Sequence, residues 1–266
     1  MSIASRRHYG LKQAPRAWYE RLTQFLVDNN YTRGSVDKTL FIKRDNDELF
    51  IAQIYVDDIV FGSTNNTKVQ QFVDVMSLEF EMSLVGERYF LGLQIRQMHD
   101  GIFITQAKYA KNLVKKFGLE KAKHCDTPMS TTLKLSKDAS VGLCARYQAD
   151  PKESHLSSVK RIIRYVNGTS NYGIWYSFDT NASLVGFSDA DWAGNCDDRK
   201  STSGGCFFLG NNLVSWFCKK QNSISLSTAE AEYIAAGSGC TQLLWMKQML
   251  VDYGFNQGTL TLFVIT

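Results

Sequence analysis

Ile54-Tyr55-Val56-Asp57-Asp58-Ile59-Val60 sets two adjacent acids between two apolar, β-prone runs. The flanks Leu49–Tyr55 and Ile59–Gly62 read as strands, so Asp57 and Asp58 fall at the tip of a hairpin. Like charges at a tight turn repel, and a hard divalent cation that takes carboxylate oxygens offsets the repulsion. Taken alone, the tetrapeptide also reads as an ordinary Asp-Asp turn.

The neighbouring pattern extends this hairpin in both directions. Leu40–Lys43 reads as a strand joined to Leu49–Tyr55 by the polar turn Asp45–Glu48. Upstream, Trp18, Leu22, Phe25 and Leu26 fall at helical spacing, and Pro15 suits a first helical turn. Downstream, Thr67–Phe80 is helical, and strands follow at Tyr89–Gln97 and Ile102–Thr105. Thr105 is expected to cap a helix that runs to Phe117 and stops at Gly118. Its expected buried face carries Tyr109, Leu113 and Phe117, while Lys108, Lys111 and Lys115 form a basic stripe. Such a stripe is either a phosphate contact or a solvated face.

From about Cys125 to Pro151 the periodicity fails and Thr, Ser, Lys and Asp dominate, which marks a domain boundary. Beyond it, His155–Tyr165 reads as a helix with Lys160, Arg161 and Arg164 exposed, followed by strands at Ser183–Phe187, Gly205–Leu209 and Val214–Phe217. Ser227-Thr-Ala-Glu230 has the form of a capping box opening a helix, which Gly237 and Gly239 weaken. A last β-prone run occupies Thr259–Ile265.

Across its 266 residues the chain is 44% hydrophobic and 21% charged, a globular composition. A net charge of +4 suits a nucleic-acid partner without requiring one. Six scattered cysteines with no CxxC pair argue against a zinc site and against a disulfide scaffold. No apolar stretch approaches the roughly 20 residues of a membrane span, and Met1 leads into the polar, basic run Ser2–His8 rather than a signal peptide. The expectation is a soluble, intracellular chain with no membrane partner, cytoplasm and nucleus being indistinguishable.

Tyr9-Gly-Leu-Lys-Gln-Ala-Pro-Arg-Ala-Trp-Tyr19, Asp37-Lys-Thr-Leu-Phe41, Tyr89-Phe-Leu-Gly-Leu-Gln-Ile95 and Ile104-Thr-Gln-Ala-Lys-Tyr109 accompany the Tyr-Val-Asp-Asp turn in order. Together they resemble the reverse transcriptases of copia-type LTR retrotransposon Pol polyproteins. Gly186-Phe-Ser-Asp-Ala-Asp-Trp-Ala-Gly194, Arg199-Lys-Ser-Thr-Ser-Gly204 and Ser227-Thr-Ala-Glu-Ala-Glu-Tyr233 resemble the RNase H domain of the same family. The resemblance implies an α+β chain. Residues 1–124 would be a partial right-hand polymerase palm and thumb, 125–182 a shortened connection region, and 183–266 a truncated RNase H-like α/β unit. It also implies Mg2+ as cofactor and an RNA/DNA template-primer as partner.

By the same resemblance, Asp57 is a metal ligand and Asp58 its supporting neighbour. Gln13 matches the segment near template and nucleotide, with Arg16 placed to meet phosphates or to stay solvated. Lys108, Lys111 and Lys115 lie on the first thumb helix. Asp189, with Asp191 as runner-up, and Glu232 match the first two RNase H carboxylates.

Some family features lack a counterpart. The other palm aspartate stands upstream of Gly10-Leu-Lys-Gln13, and Met1–His8 contains no acid. Ser136–Gly142 joins segments that the family separates, and the third and fourth RNase H acids have no match before Thr266. The expectation is therefore a polymerase and RNase H by descent that catalyses neither reaction. The rival is a non-enzymatic module that binds nucleic acid or associates with intact polymerase. Thr259–Ile265 is expected to pair beside Ser183–Phe187. Val185, Phe207 and Trp216 are then left short of partners, which promotes self-association through uncovered apolar surface.

Overall fold

The structure, a computed structural model, describes residues 2–3, 14–83, 89–128, 150–194 and 198–265. Gln13 and the Ser136–Gly142 junction lie outside the described residues. The chain is mixed α and β, and its contacts divide it into two compact units. One comprises Met1–Gly86 with Gln248–Asn256, the other Glu87–Lys247 with Gln257–Thr266.

The first unit is an antiparallel sheet backed by two helices. Its strands are β1 (Ser2–Ile3), β2 (Thr32–Arg33), β3 (Leu40–Asp45), β4 (Glu48–Tyr55), β5 (Asp58–Ser63) and β6 (Met82–Ser83), ordered β2-β3-β4-β5-β1-β6. Alternation along β4 buries Phe50, Ala52 and Ile54 on one face. Helix α1 (Ala14–Asp28) sets Leu22 and Leu26 against that core, and α2 (Asn66–Glu79) adds Phe72 and Met76. The Asn65 side chain accepts from the Thr67 N–H at 2.9 Å and so starts α2. Trp18 and Phe25 each meet Phe80 edge-on, at 5.0 and 5.1 Å between ring centres.

The second unit holds two further sheets. In one, β7 (Tyr89–Phe90), β8 (Leu93–Gln97), β9 (Gly101–Thr105) and β10 (Gly173–Ser177) run in the order β10-β9-β8-β7. The expected single strand Tyr89–Gln97 is thus a tight hairpin, broken at Leu91 and Gly92, which both take positive φ. Helix α3 (Ala107–Lys116) follows β9, and α4 (Glu153–Gly168) precedes β10. Thr105 is not the cap of α3. It closes β9, Gln106 stands at the cap without a side-chain bond, and the Gln94 amide oxygen accepts from the Lys108 N–H at 2.8 Å instead.

The burial of α3 also differs from expectation. Ala110 and Val114 are buried, whereas Tyr109 and Phe117 are more than half exposed. Helices α3 and α4 are in contact, and the buried residues of α3 are the small Ala110 and Val114 rather than its aromatic rings. On α4, Lys160 is exposed as expected, but Arg161 and Arg164 are only partly so. The Arg161 guanidinium binds Thr127, and Arg164 Nε is buried.

The other sheet is ordered β13-β12-β11-β14, from β11 (Leu184–Asp191), β12 (Thr202–Leu209), β13 (Asn212–Lys220) and β14 (Thr261–Val264). Strand β14 pairs beside β11 as expected, in parallel, with Val185 opposite Thr261 and Phe187 opposite Phe263. A parallel neighbour requires a crossover, supplied by α5 (Thr228–Asp252), which buries Ala231, Ala235, Gly239 and Leu243. A Cβ on Gly186 would come within 2.9–3.1 Å of Leu262, Leu243 and Phe207, and one on Gly239 within 3.1–3.2 Å of Leu262. Only glycine lets helix and sheet come this close. The consequence corrects an expectation: Phe207 is fully buried, although Trp216 remains 60% exposed.

Two carboxylates anchor loops of the first unit. Burial would raise both, but donors outweigh it and hold both below the ordinary carboxylate value. Asp37 receives the Thr39 hydroxyl, the Thr39 N–H and the Gln53 amide, at 2.6, 2.8 and 2.9 Å. Asp252 receives the Ser35 hydroxyl at 2.5 Å and the Val36 N–H at 2.9 Å. A carboxyl depressed on folding stabilises fully above about pH 4 and loses that contribution as pH falls through its depressed value. Hydrogen exchange across Leu40–Ser63 should therefore show protection declining below about pH 4, and declining less steeply in Asp252→Asn.

Candidate functional site

Strands β4 and β5 pair with Tyr55 opposite Asp58, so the loop between them has only Val56 and Asp57. Two-residue hairpin loops match the twist of the strands only with positive φ at the first loop position, where glycine or asparagine is usual. Here Val56 takes φ +52. A β-branched residue in that region is strained by about 1–3 kcal/mol. The Trp18 indole N–H donates to the Val56 carbonyl at 3.3 Å, tying α1 to the turn. Asp57 and Asp58 are both partly exposed at this tip, and Asp58 also pairs with Ser2 of β1.

A second acidic group lies at the end of β11. Asp189 and Asp191 alternate with Ala190 along the strand, and Asp189 is exposed. Glu232, in the first turns of α5, accepts from the Ala190 N–H at 3.2 Å through Oε1. The structure thus brings Glu232 to the residue beside Asp189. Its Oε2 is buried and has no hydrogen-bond partner among the described residues. Asp191 accepts from the Thr202 N–H through Oδ1, while its Oδ2 is likewise buried and unpartnered among them. Glu230 acts as a cap: Ser227 Oγ accepts from the Glu230 N–H at 3.2 Å, and Glu230 Oε2 accepts from Leu226 N–H at 2.6 Å. This differs from an ordinary capping box, in which the glutamate reaches the serine's own N–H.

Lys108, Lys111 and Lys115 are all exposed on α3. The Lys108 ammonium sits 5.1 Å from the ring centre of Tyr89, itself 45% exposed, so a cation and an aromatic face share one surface. Arg16 is highly exposed and pairs with Glu20 at 2.9 Å, one turn along α1. An exposed pair of this kind is weak and leaves the guanidinium available.

Residues 4–131 match the family model described as reverse transcriptase (RNA-dependent DNA polymerase). The chain is 32% identical over 93% of its length to the retrovirus-related Pol polyprotein from transposon RE1 of Arabidopsis thaliana. It is 29% identical over 94% of its length to that from transposon TNT 1-94 of Nicotiana tabacum. The chain belongs to the copia-type retrotransposon Pol family. It spans about a fifth of the length of these Pol polyproteins, 19% and 22% respectively. An uncharacterized mitochondrial protein of Arabidopsis thaliana is 31% identical over 72% of this chain and 92% of its own length. No solved structure shows a significant match.

Reverse transcriptases use divalent ions, and the two acidic groups bear on whether one fits here. Among the described residues no three of His, Cys, Asp and Glu converge. Mg2+ does not need such a cage, because it keeps several waters and takes one or two carboxylates plus phosphate oxygens. Paired acids at a hairpin tip fit that donor set, as does the unpartnered Oε2 of Glu232. Sequence reading found the acids but missed the Val56 strain, the Ala190 N–H and the Tyr89 ring under Lys108. Of these, only the valine in a two-residue loop left a legible signal. Val56→Gly should raise stability by about 0.5–1 kcal/mol, seen as a higher urea midpoint with an unchanged slope.

Proposed function

We propose that the chain carries parts of the RNA-directed DNA polymerase and of the RNase H of a copia-type element. Palm and thumb occupy residues 1–124, a shortened connection 125–182, and an RNase H-like unit 183–266. The observation that carries this reading is the Asp57–Asp58 hairpin tip inside the stretch that matches the reverse-transcriptase family. Asp57 holds Mg2+ with Asp58 as its neighbour, and the ion supplies activation of the primer hydroxyl and charge neutralisation at the leaving pyrophosphate. Asp189 and Glu232 hold a second Mg2+ centre for cleaving the RNA of an RNA–DNA hybrid. The parallel β11–β14 pairing and the approach of Glu232 to Ala190 support that assignment.

These residues alone catalyse neither reaction. Each centre contributes a pair of acids rather than a full set, and a misplaced ion costs about a hundredfold or more. The purified chain should extend no annealed primer with Mg2+ or Mn2+ and cut no hybrid. Extension abolished by Asp57→Asn, or cutting abolished by Glu232→Gln, would overturn this.

A non-enzymatic reading has its own support in the exposed Lys108, Lys111 and Lys115 beside Tyr89. Template-primer then binds through its phosphates, without sequence preference. Binding should weaken steeply with salt, and changing all three lysines to Glu should reduce the log–log salt slope by about 2–3. An unchanged slope makes the stripe a solvated face. Arg16→Ala separates a further phosphate contact in the same assay.

A further inference from the structure

Helix α5 buries one narrow stripe, Ala231, Ala235, Gly239 and Leu243, against its sheet. Its opposite side is unusual for a solvated face. From Tyr233 to Met246 the sequence contains no charged residue. Tyr233 is 82% exposed, Leu244 57% and Trp245 49%. Between them, Ser238 and Thr241 turn their hydroxyls onto the helix's own carbonyls, Ile234 O at 3.1 Å and Gly237 O at 2.9 Å. The polar side chains at the centre are therefore satisfied internally, and the face shows mostly apolar and backbone surface.

The two glycines of α5 have different standing. Gly239 is required by the approach of Leu262, but a Cβ on Gly237 would meet nothing within 4 Å. Glycine is among the poorest helix formers, and no packing among the described residues calls for one at Gly237. A second helix lying across this face would call for it.

We propose that a second copy of this chain docks here, α5 against α5 in antiparallel orientation, about a two-fold axis at the Ser238–Gly239 peptide. The arrangement pairs the face with itself. Residues symmetric about that point are Tyr233 with Leu244, Gly237 with Cys240, and Glu230 with Lys247. Each large side chain of one copy meets an apolar partner beyond the small centre of the other. At either end an acid meets a base, so the same patch is complementary in charge as well as in shape, as an isologous interface requires. Glu230 uses one oxygen on the Leu226 N–H and Lys247 one proton on the Gly258 carbonyl. Both retain capacity for a second partner. One helix face is a small interface, so the copies exchange rather than lock.

Sedimentation velocity over a range of concentrations on the whole chain tests this. The expected result is a reversible monomer–dimer equilibrium. Gly237→Leu, which improves helix propensity, should abolish the dimer while leaving thermal unfolding unchanged or higher. Glu230→Lys and Lys247→Glu should each weaken dimerisation about tenfold or more, by opposing like charges at both ends. Mixing these two variants should restore it, because each end of the mixed dimer again pairs opposite charges. That rescue cannot come from a lost cap or a destabilised monomer, and it remains decisive if Gly237→Leu fails to fold. A chain that stays monomeric throughout overturns the proposal. So does a dimer indifferent to Gly237→Leu and to the charge variants, which would assign the contact to another surface such as the Trp216 face of the sheet. Dimerisation lost in both charge variants without rescue on mixing overturns the antiparallel register.

Discussion

The register of β4 against β5 is the constraint on which the proposed polymerase centre depends. Phe50, Ala52, Ile54 and Ile59 are all buried, and together they fix which residues oppose one another. A slip by one residue would turn that entire set to the opposite face. With the pairing fixed, Val56 and Asp57 are all that remain for the loop, and Val56 must take φ +52 despite its branched side chain. Each buried side chain of this size contributes about 1.5–3 kcal/mol, more than the strain of one turn residue. The core therefore holds the two acids at the tip in a geometry that the loop would not adopt by itself.

The elements legible in the sequence were those whose period is set by a large core. Helix α1 and the strands β3 to β5 show apolar spacing because the residues that define it are the residues that are buried. Legibility failed where small residues made the contact. On α3 the largest apolar side chains, Tyr109 and Phe117, were expected inside, yet Ala110 and Val114 form the buried stripe. The sequence leaves Phe207 short of cover because the later helices of the RNase H fold find no match in it, and the glycines in α5 read only as helix weakness. In the fold, Gly239 on the helix and Gly186 on β11 bring helix and sheet close enough to seal it. A glycine's cost is visible in a sequence; the neighbour that makes it necessary is not.

The candidate sites divide along the same line. Acids at a hairpin tip, or at a strand end and a capped helix, stand out because few structural reasons place them there. Their backbone partners carry no sequence signature. The Ala190 N–H that receives Glu232 exists at every non-proline residue, and only the crossing of α5 over β11 selects it. Lys108 shows the same dependence: Tyr89 lies beneath it only because the chain turns back at Leu91–Gly92, where the sequence pattern reads as one continuous strand.

The small number of acids at each centre has a consequence for how the proposed ions bind. An ion held by two carboxylates and several waters gains most of its remaining coordination from phosphate oxygens. Ion and nucleic acid then bind more tightly together than separately, and the coupling is reciprocal: each raises the affinity of the other by the same factor. The basic stripe on α3 is independent of this coupling, because lysine contacts to phosphate require no ion. On the proposed function, nucleic-acid binding therefore has two additive parts. The first falls with salt, divalent salts included, and requires no bound ion. The second requires a bound divalent ion and is lost with Asp57 or Glu232. A chain that retains only the first part would bind template-primer and process none of it, so binding and catalysis separate on physical grounds, through different residues.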